Sequence, residues 1–233
     1  MDFSIIADSF DLYLSGTWVT LQLVLQSLAI GLLLAVPLAI AQVYGPAWLR
    51  WLVFAYGYFF RGTPLLVQTF LLYYGSGQFE WIQQLQQDWT FLKQAYGYAL
   101  IAFALNTAAY TVEILRGAIA TMPKGELEAA KACGMSTPLM LRRIVLPNAF
   151  RRALPAYSNE VIFMLHGSSI ASIVTIVDIT GAARLVNAKY YRPYEAFVTA
   201  GLIYLVLTLL TVWLFRQVEK RWFVHLRPLG SKP

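Results

Sequence analysis

Of the 233 residues, 58% are hydrophobic and only 13% are charged, about half the charged content of an ordinary soluble domain; with a mean hydropathy of +0.57, this points to a polytopic membrane protein. The single cysteine, Cys133, excludes an internal disulfide framework and reads as a small filler in a reducing compartment. The net charge of +6 calls for no nucleic acid, because a cytoplasmic face beside anionic lipid accounts for it.

The chain opens with MDFSIIADSFDLYL, which carries Asp2, Asp8 and Asp11 but no basic residue. A cleaved signal peptide needs a positive start, so the first apolar segment is expected to remain as a span. About 20 apolar residues cross the hydrocarbon core, and charge-poor windows place five spans near 18–43, 51–75, 95–115, 157–178 and 196–215. The first contains Pro37, tolerable in a packed membrane helix. The second is interrupted at Arg61-Gly62, where Thr63-Pro64 reads as a helix cap followed by proline at the first helical position. Either WLVFAYGYFF belongs to this span, or it enters the membrane obliquely and the chain bends there.

Between the second and third spans, GSGQFEWIQQLQQDWTFLKQ reads as a polar connection with interfacial Trp81 and Trp89. The tail EKRWFVHLRPLGSKP reads as an aromatic and basic anchor, with His225 a polar tip. With the N-terminus outside, the inner segments collect 14 of the 18 Lys and Arg residues. Only Lys93, Arg184, Lys189 and Arg192 fall outside, a clear positive-inside bias. The last three form a basic outer loop, a landing surface for an external protein.

This orientation puts EAAKACGMSTPLMLRRIVLP, residues 128–147, in the cytoplasm. Glu126 and Glu128 suit the first turn of a short helix, and Gly134 is a natural stop. Ser136 or Thr137 then caps a second short helix that Pro138 opens, and Pro147 forbids its simple continuation. Leu139, Ile144 and Leu146 are expected to face the membrane domain, leaving Ala129 and Ala130 on a face open to another protein. A solvated amphipathic loop and a docking element both fit this pattern.

The spacing E-A-A, three residues, G, nine residues, I-x-L-P resembles the cytoplasmic signature of binding-protein-dependent ABC importer permeases. Glu128, Ala129, Ala130, Gly134, Ile144, Leu146 and Pro147 fill all its positions; at average residue usage a chance match is on the order of 10⁻⁸ per starting position. RGTPLLVQTFLLYYG, NTAAYTVEILRGAI, PKGELEAAKACGMS and LPNAFRRALPAYSNEVI look like the branch for polar amino acids. LHGSS, at 165–169, is similar to the permeases for histidine, lysine, arginine and ornithine. The resemblance implies an all-α integral membrane protein with the five-span type I importer permease core, a single domain over 1–233. It also implies coupling helices within 123–147, seated in a separate ATPase. The chain lacks G-x-x-x-x-G-K-[ST] and cannot cradle ATP by a P-loop, so ATP and Mg are used by that partner, and no cofactor is expected on this chain. A second permease subunit, identical or paralogous, an external solute-binding protein and membrane lipid complete the expected partners. The expected location is the bacterial inner membrane, with the N-terminus outside and the C-terminus in the cytoplasm.

Ionisable residues at membrane depth are functional candidates. Glu160 either holds a cationic group of a substrate or pairs with Arg151 or Arg152. His166, Ser168 and Ser169 are pathway candidates, and His166 fits a packing role as well. Thr63, Gln68, Asn106 and Thr107 face the pathway or hydrogen-bond between helices. Glu113 and Arg116, three apart, are expected to pair, and Asp178 is expected in a hydrated outer end. An ion-driven secondary transporter would favour inverted repeats, which are not visible. A serine hydrolase would need His166 and Ser168 or Ser169 in a geometry that one helical turn does not provide.

Overall fold

The structure is a computed structural model that describes residues 4–222, residues 87 and 88 by their backbone alone. The expected tip His225 and most of the basic anchor lie outside these residues. Among the described residues every regular element is helical. A short α1 (Ser4–Asp8) leads into α2 (Phe10–Tyr44), whose 35 residues give a rod about 50 Å long. Pro37 lies within α2 without ending it.

The second predicted span is two helices, α3 (Ala47–Gly62) and α4 (Leu65–Gly75), joined by extended Thr63 and Pro64. Proline disfavours a helical conformation at the residue before it, which accounts for the break. The cap falls one residue later than the sequence suggested. The Pro64 carbonyl accepts the Gln68 N–H at 3.1 Å, whereas the Thr63 hydroxyl turns back to Phe59 O at 2.9 Å.

The connection between the second and third predicted spans holds α5 (Glu80–Asp88) between short 3-10 turns, with Trp81 and Trp89 both exposed. Then follow α6 (Ala95–Ala120), α7 (Lys124–Ala132) and α8 (Thr137–Met140). A single π-turn over Leu141–Val145 joins α8 to α9 (Leu146–Gly167). A 3-10 segment, Ser168–Val174, precedes α10 (Ile179–Tyr190), and α11 (Pro193–Trp222) closes the described chain. Helices α2, α6 and α11 are each long and apolar enough to cross a membrane. Residues 137–174 with α10, bent by 46°, form a fourth if counted as one.

Helix α6 is the hub. Its buried face is rich in small residues, among them Ala99, Ala102, Ala104 and Ala108, which let backbones approach where lipid supplies no hydrophobic drive between helices. Helix α2 answers with Gly31, where a Cβ would run into the Thr107 methyl and lie 3.3 Å from Ala104 O. A similar close approach occurs at Gly16, where a Cβ would stand 2.7 Å from Asp178 O. Asp178 is fully buried, contrary to the hydrated setting expected. It caps α10 by accepting the Gly181 N–H at 2.7 Å, and the Tyr204 hydroxyl donates to it at 3.2 Å. Thr175, in the left-handed backbone conformation at φ 68, turns the chain three residues before this cap. Helix α10 replaces the expected basic loop, and Arg184 is drawn back onto Ser172 O at 2.9 Å.

Helix α11 buries only Glu195, Ala196 and Ala200. Leu202, Leu205, Leu209 and Trp213 are exposed along it, an apolar flank of the kind that faces lipid or a second subunit.

Candidate functional site

The signature segment forms a defined base. Helix α7 carries Glu126 in its first turn and Lys131 in its last, both favourable to the helix dipole. It ends at Gly134, whose φ of +75 is the left-handed conformation that a side chain makes costly. Gly134 N–H reaches Lys131 O at 2.9 Å and Met135 N–H reaches Ala130 O at 3.1 Å. This pair of bonds is the Schellman stop, which satisfies carbonyls the helix end would otherwise leave open. The inward stripe is Leu127 and Ala130, packed with Val145 and Met140 on the lower core. Ala130 is therefore not on the outer face as the sequence suggested; Glu128 and Ala129 are. Cys133 is exposed at the helix cap rather than a filler.

The second helix of this segment is not short. Through the π-turn, Leu146 N–H reaches back five residues to Leu141 O, and the chain continues as α9 past Pro147. A proline ring normally clashes with the carbonyl four residues earlier; one wide turn just before it relieves that clash without ending the rod. Residues 137–174 thus form one continuous helical element. The inward anchors are Met140 and Val145. Ile144 packs against the core as expected, while Leu139 and Leu146 are only half-buried.

A polar chain absent from the sequence reading locks this base together. Asn148 Nδ2 donates to Glu126 Oε2 at 3.0 Å, Arg152 Nε donates to Asn148 Oδ1 at 2.9 Å, and Arg152 Nη1 donates to Thr121 O at 3.1 Å. It joins α7, α9 and the end of α6. Only the four-residue spacing of Asn148 and Arg152 was visible in sequence; Glu126 lies 22 residues away.

A second polar cluster spans four helices, α3, α4, α6 and α9. Gln68 Nε2 is within 2.7–3.0 Å of Thr63 Oγ1, Phe60 O and Thr63 O, and Asn106 Nδ2 donates to Gln68 Oε1 at 3.0 Å. Thr63 and Gln68 thereby fasten the break between α3 and α4 onto α6. The Thr107 hydroxyl donates to Glu160 Oε1 at 2.7 Å. Glu160 is 6% exposed and does not pair with Arg151 or Arg152, because it lies two turns or more above them on α9 and turns inward to α6. It lines a cleft of about 360 Å³ with Leu65, Asn106, Tyr110, Phe163 and Gly167.

The other candidates scatter. His166 is exposed and its Nε2 is 3.0 Å from Thr208 Oγ1 on α11. Ser168 and Ser169 donate to Leu165 O and His166 O at 2.7 and 2.8 Å, so both hydroxyls are committed to their own helix and not to a histidine base. Glu113 pairs with Arg116 as expected. Arg61 from α3 joins them at 3.7 Å, a tie that spacing alone did not disclose. Among the described residues no group of His, Cys, Asp or Glu is arranged to hold a metal.

Comparison with known proteins accords with this layout. The octopine transport system permease protein OccM of Rhizobium radiobacter is 47% identical over 211 residues, 91% of this chain and 86% of its own. The nopaline transport system permease protein NocM of Agrobacterium fabrum is 43% identical over 97% of this chain and 92% of its own. The histidine/lysine/arginine/ornithine transport system permease protein HisM of Escherichia coli K12 is 42% identical, covering 93% and 91%. A crystal structure of an amino acid ABC transporter with histidines superposes at a TM-score of 0.81 with 30% identity, over 95% of this chain and 99% of that one. The MetNI methionine ABC transporter, inward facing, shares the fold at a TM-score of 0.76 and 17% identity, over 91% and 96%. Residues 27–224 match the family model described as the binding-protein-dependent transport system inner membrane component, and the chain belongs to that family of ABC importer permeases.

Proposed function

We propose that this permease forms part of the pathway by which a basic amino acid is imported at the expense of ATP hydrolysed on a separate subunit. The observation that carries the reading is Glu160, a buried carboxylate on an open cleft, held by a hydroxyl rather than by a protein cation. A buried charge without an opposite partner is costly, and a cationic substrate supplies that partner. The names of the relatives, which refer to histidine, lysine, arginine and ornithine, to octopine and to nopaline, support the same substrate class.

The proposed arrangement has five crossings, with α3 and α4 acting together as the second, and α10 lying beyond the fourth on the outer side. The N-terminus is outside, α7 and α8 are cytoplasmic, and α7 with Gly134 sits in the ATPase. Closure of two ATPases displaces α7 and α8. Because α8 runs through the π-turn into α9, that displacement reaches Glu160, about 20 Å along the helix from Pro147. The Glu126–Asn148–Arg152–Thr121 chain carries part of it to α6 and so to Thr107. Moving α9 against α6 alters the hold of Thr107 on Glu160, coupling substrate affinity to the ATPase state. Rigid-body alternation of this kind is driven because ATP favours one arrangement. A solute-binding protein docks outside near Arg184, Lys189 and Arg192, and a second permease, identical or paralogous, completes the route.

The test is uptake of arginine, histidine and glutamine, measured side by side in vesicles containing the assembled transporter. ATP-dependent uptake of the cationic substrates, lost with an inactive ATPase, is expected. Uptake that survives ATPase inactivation would favour an ion-driven transporter and end the proposal.

A further inference from the structure

The base of α9 and the end of α11 enclose a second cleft, separate from the one at Glu160. Its mouth, about 470 Å³, is lined by Pro147, Phe150, Arg151, Arg221 and Trp222. Phe150 and Trp222 also line an adjoining apolar cleft of about 180 Å³ that rises between α2, α6, α9 and α11 to Leu32, Ile114, Tyr157 and Phe215. Two arginines thus stand at the opening of an apolar slot within the helices that cross the membrane. Among the described residues neither Arg151 nor Arg221 has a hydrogen-bond or ion-pair partner, and no carboxylate lines the mouth. Thr111, 1% exposed, lines the slot with a hydroxyl that has no partner among the described residues. Such an orphan is unusual for a buried polar group.

We infer that this composite cleft binds one anionic phospholipid, its phosphate held by Arg151 and Arg221 and the start of an acyl chain lying in the slot beneath Phe150 and Trp222. The planar guanidinium groups match the fork of phosphate oxygens. Tryptophan at a helix end settles at headgroup level. The slot continues about 10 Å along α9, from Phe150 to Tyr157, directly inward from the mouth. An ester oxygen entering the slot would reach the Thr111 hydroxyl. The site lies one turn above the π-turn, so a lipid there braces α9 against α11 where the coupling base meets the span. The inference does not depend on the direction of transport or on the substrate.

The test uses the assembled transporter purified in neutral detergent and titrated with phosphatidylglycerol, phosphatidylcholine or inorganic phosphate, with bound species resolved by native mass spectrometry. One phosphatidylglycerol per copy is expected to resist excess inorganic phosphate. Arg151→Gln with Arg221→Gln should weaken it about thirtyfold, from the usual contribution of two basic residues at a membrane surface. Arg151→Lys with Arg221→Lys keeps the charge but not the planar fork, and should bind more tightly than the Gln pair and more weakly than the native arginines. Both arginines are exposed and unpartnered among the described residues, so thermal unfolding in detergent should stay unchanged and separate lost binding from lost fold. Equal retention of phosphatidylcholine, displacement by phosphate alone, or unaltered binding by the Gln pair would overturn the site. Failure of any lipid to bind would do so too.

Discussion

The base at residues 123–147 and the Glu160 cluster both draw on the continuous helical element 137–174, yet they are built in opposite ways. The base is contiguous in sequence: its cap, stop and π-turn all fall within residues 123–147, and its outward groups Glu128 and Ala129 are exposed. The cluster is assembled from α3, α4, α6 and α9, with partners 38 residues apart at Gln68 and Asn106 and 53 apart at Thr107 and Glu160. One takes its shape from neighbours in sequence, the other from four helices brought together. The difference teaches that a docking surface needs local geometry, while a membrane-depth site needs the whole bundle to be in register.

The largest expected effect breaks the base alone. Gly134→Asp places a side chain at φ +75, where an L-residue costs roughly 1–2 kcal/mol. A Cβ there meets no atom of the described residues within 4 Å, so the permease itself is expected to reach the membrane. Uptake and substrate-stimulated ATP hydrolysis should both vanish, because the added carboxylate lies on the side where the ATPase is proposed to dock. Glu128→Lys is expected to behave alike, and normal transport by either variant would refute the docking role.

Next in size is the inner cluster. Glu160→Gln keeps the length of the side chain and its bond to Thr107 but removes the charge. Hydrogen bonds to charged groups are worth about 1.5–3 kcal/mol, so cationic substrate should bind roughly ten- to a hundredfold more weakly. Basal ATP hydrolysis should be unchanged, which distinguishes this variant from Gly134→Asp. An unaltered apparent KM for arginine and histidine would remove Glu160 from the pathway.

How far the sequence disclosed each region follows from this contrast. The stop at Gly134, the pairing of Glu113 with Arg116 and the long apolar helices were legible because each depends on residues a few positions apart. The continuation through Pro147 was not, since the rule against proline in a helix assumes regular four-residue bonding and the π-turn suspends it. Ala130 was misplaced because small size alone does not tell a docking face from a packing face. Burial of Asp178 was hidden for another reason: Tyr204, whose hydroxyl donates to it, and Gly16, which lies close against its carbonyl, come from distant helices. Thr20 even accepts the neighbouring Ile179 N–H at 3.2 Å.

Packing between the hub and α2 gives an intermediate effect that links the two regions. Gly31→Ala sets a methyl against the Thr107 methyl, and overpacking of this kind costs about 1–3 kcal/mol. Because Thr107 also holds Glu160, the variant should lose both thermal stability and substrate affinity. Thr107→Ser removes the opposing methyl and keeps the hydroxyl, so the double variant should recover both properties. Recovery of stability without recovery of affinity would show that Thr107 packs α6 but does not position Glu160.

The smallest effect is confined to the outer side. Asp178→Ala removes the cap of α10, ordinarily worth about 1 kcal/mol, and leaves the Gly181 N–H without its side-chain acceptor. Asp178→Asn preserves an acceptor for that N–H and should lose less, as read from detergent unfolding temperatures of the two variants. Since α10 meets neither α7 nor the cleft at Glu160, the coupling of ATP hydrolysis to uptake should persist in both. A collapse of coupling in Asp178→Ala with modest loss of stability would mean that the bend at Thr175 moves during transport, and the separation of outer cap from inner lever would have to be abandoned.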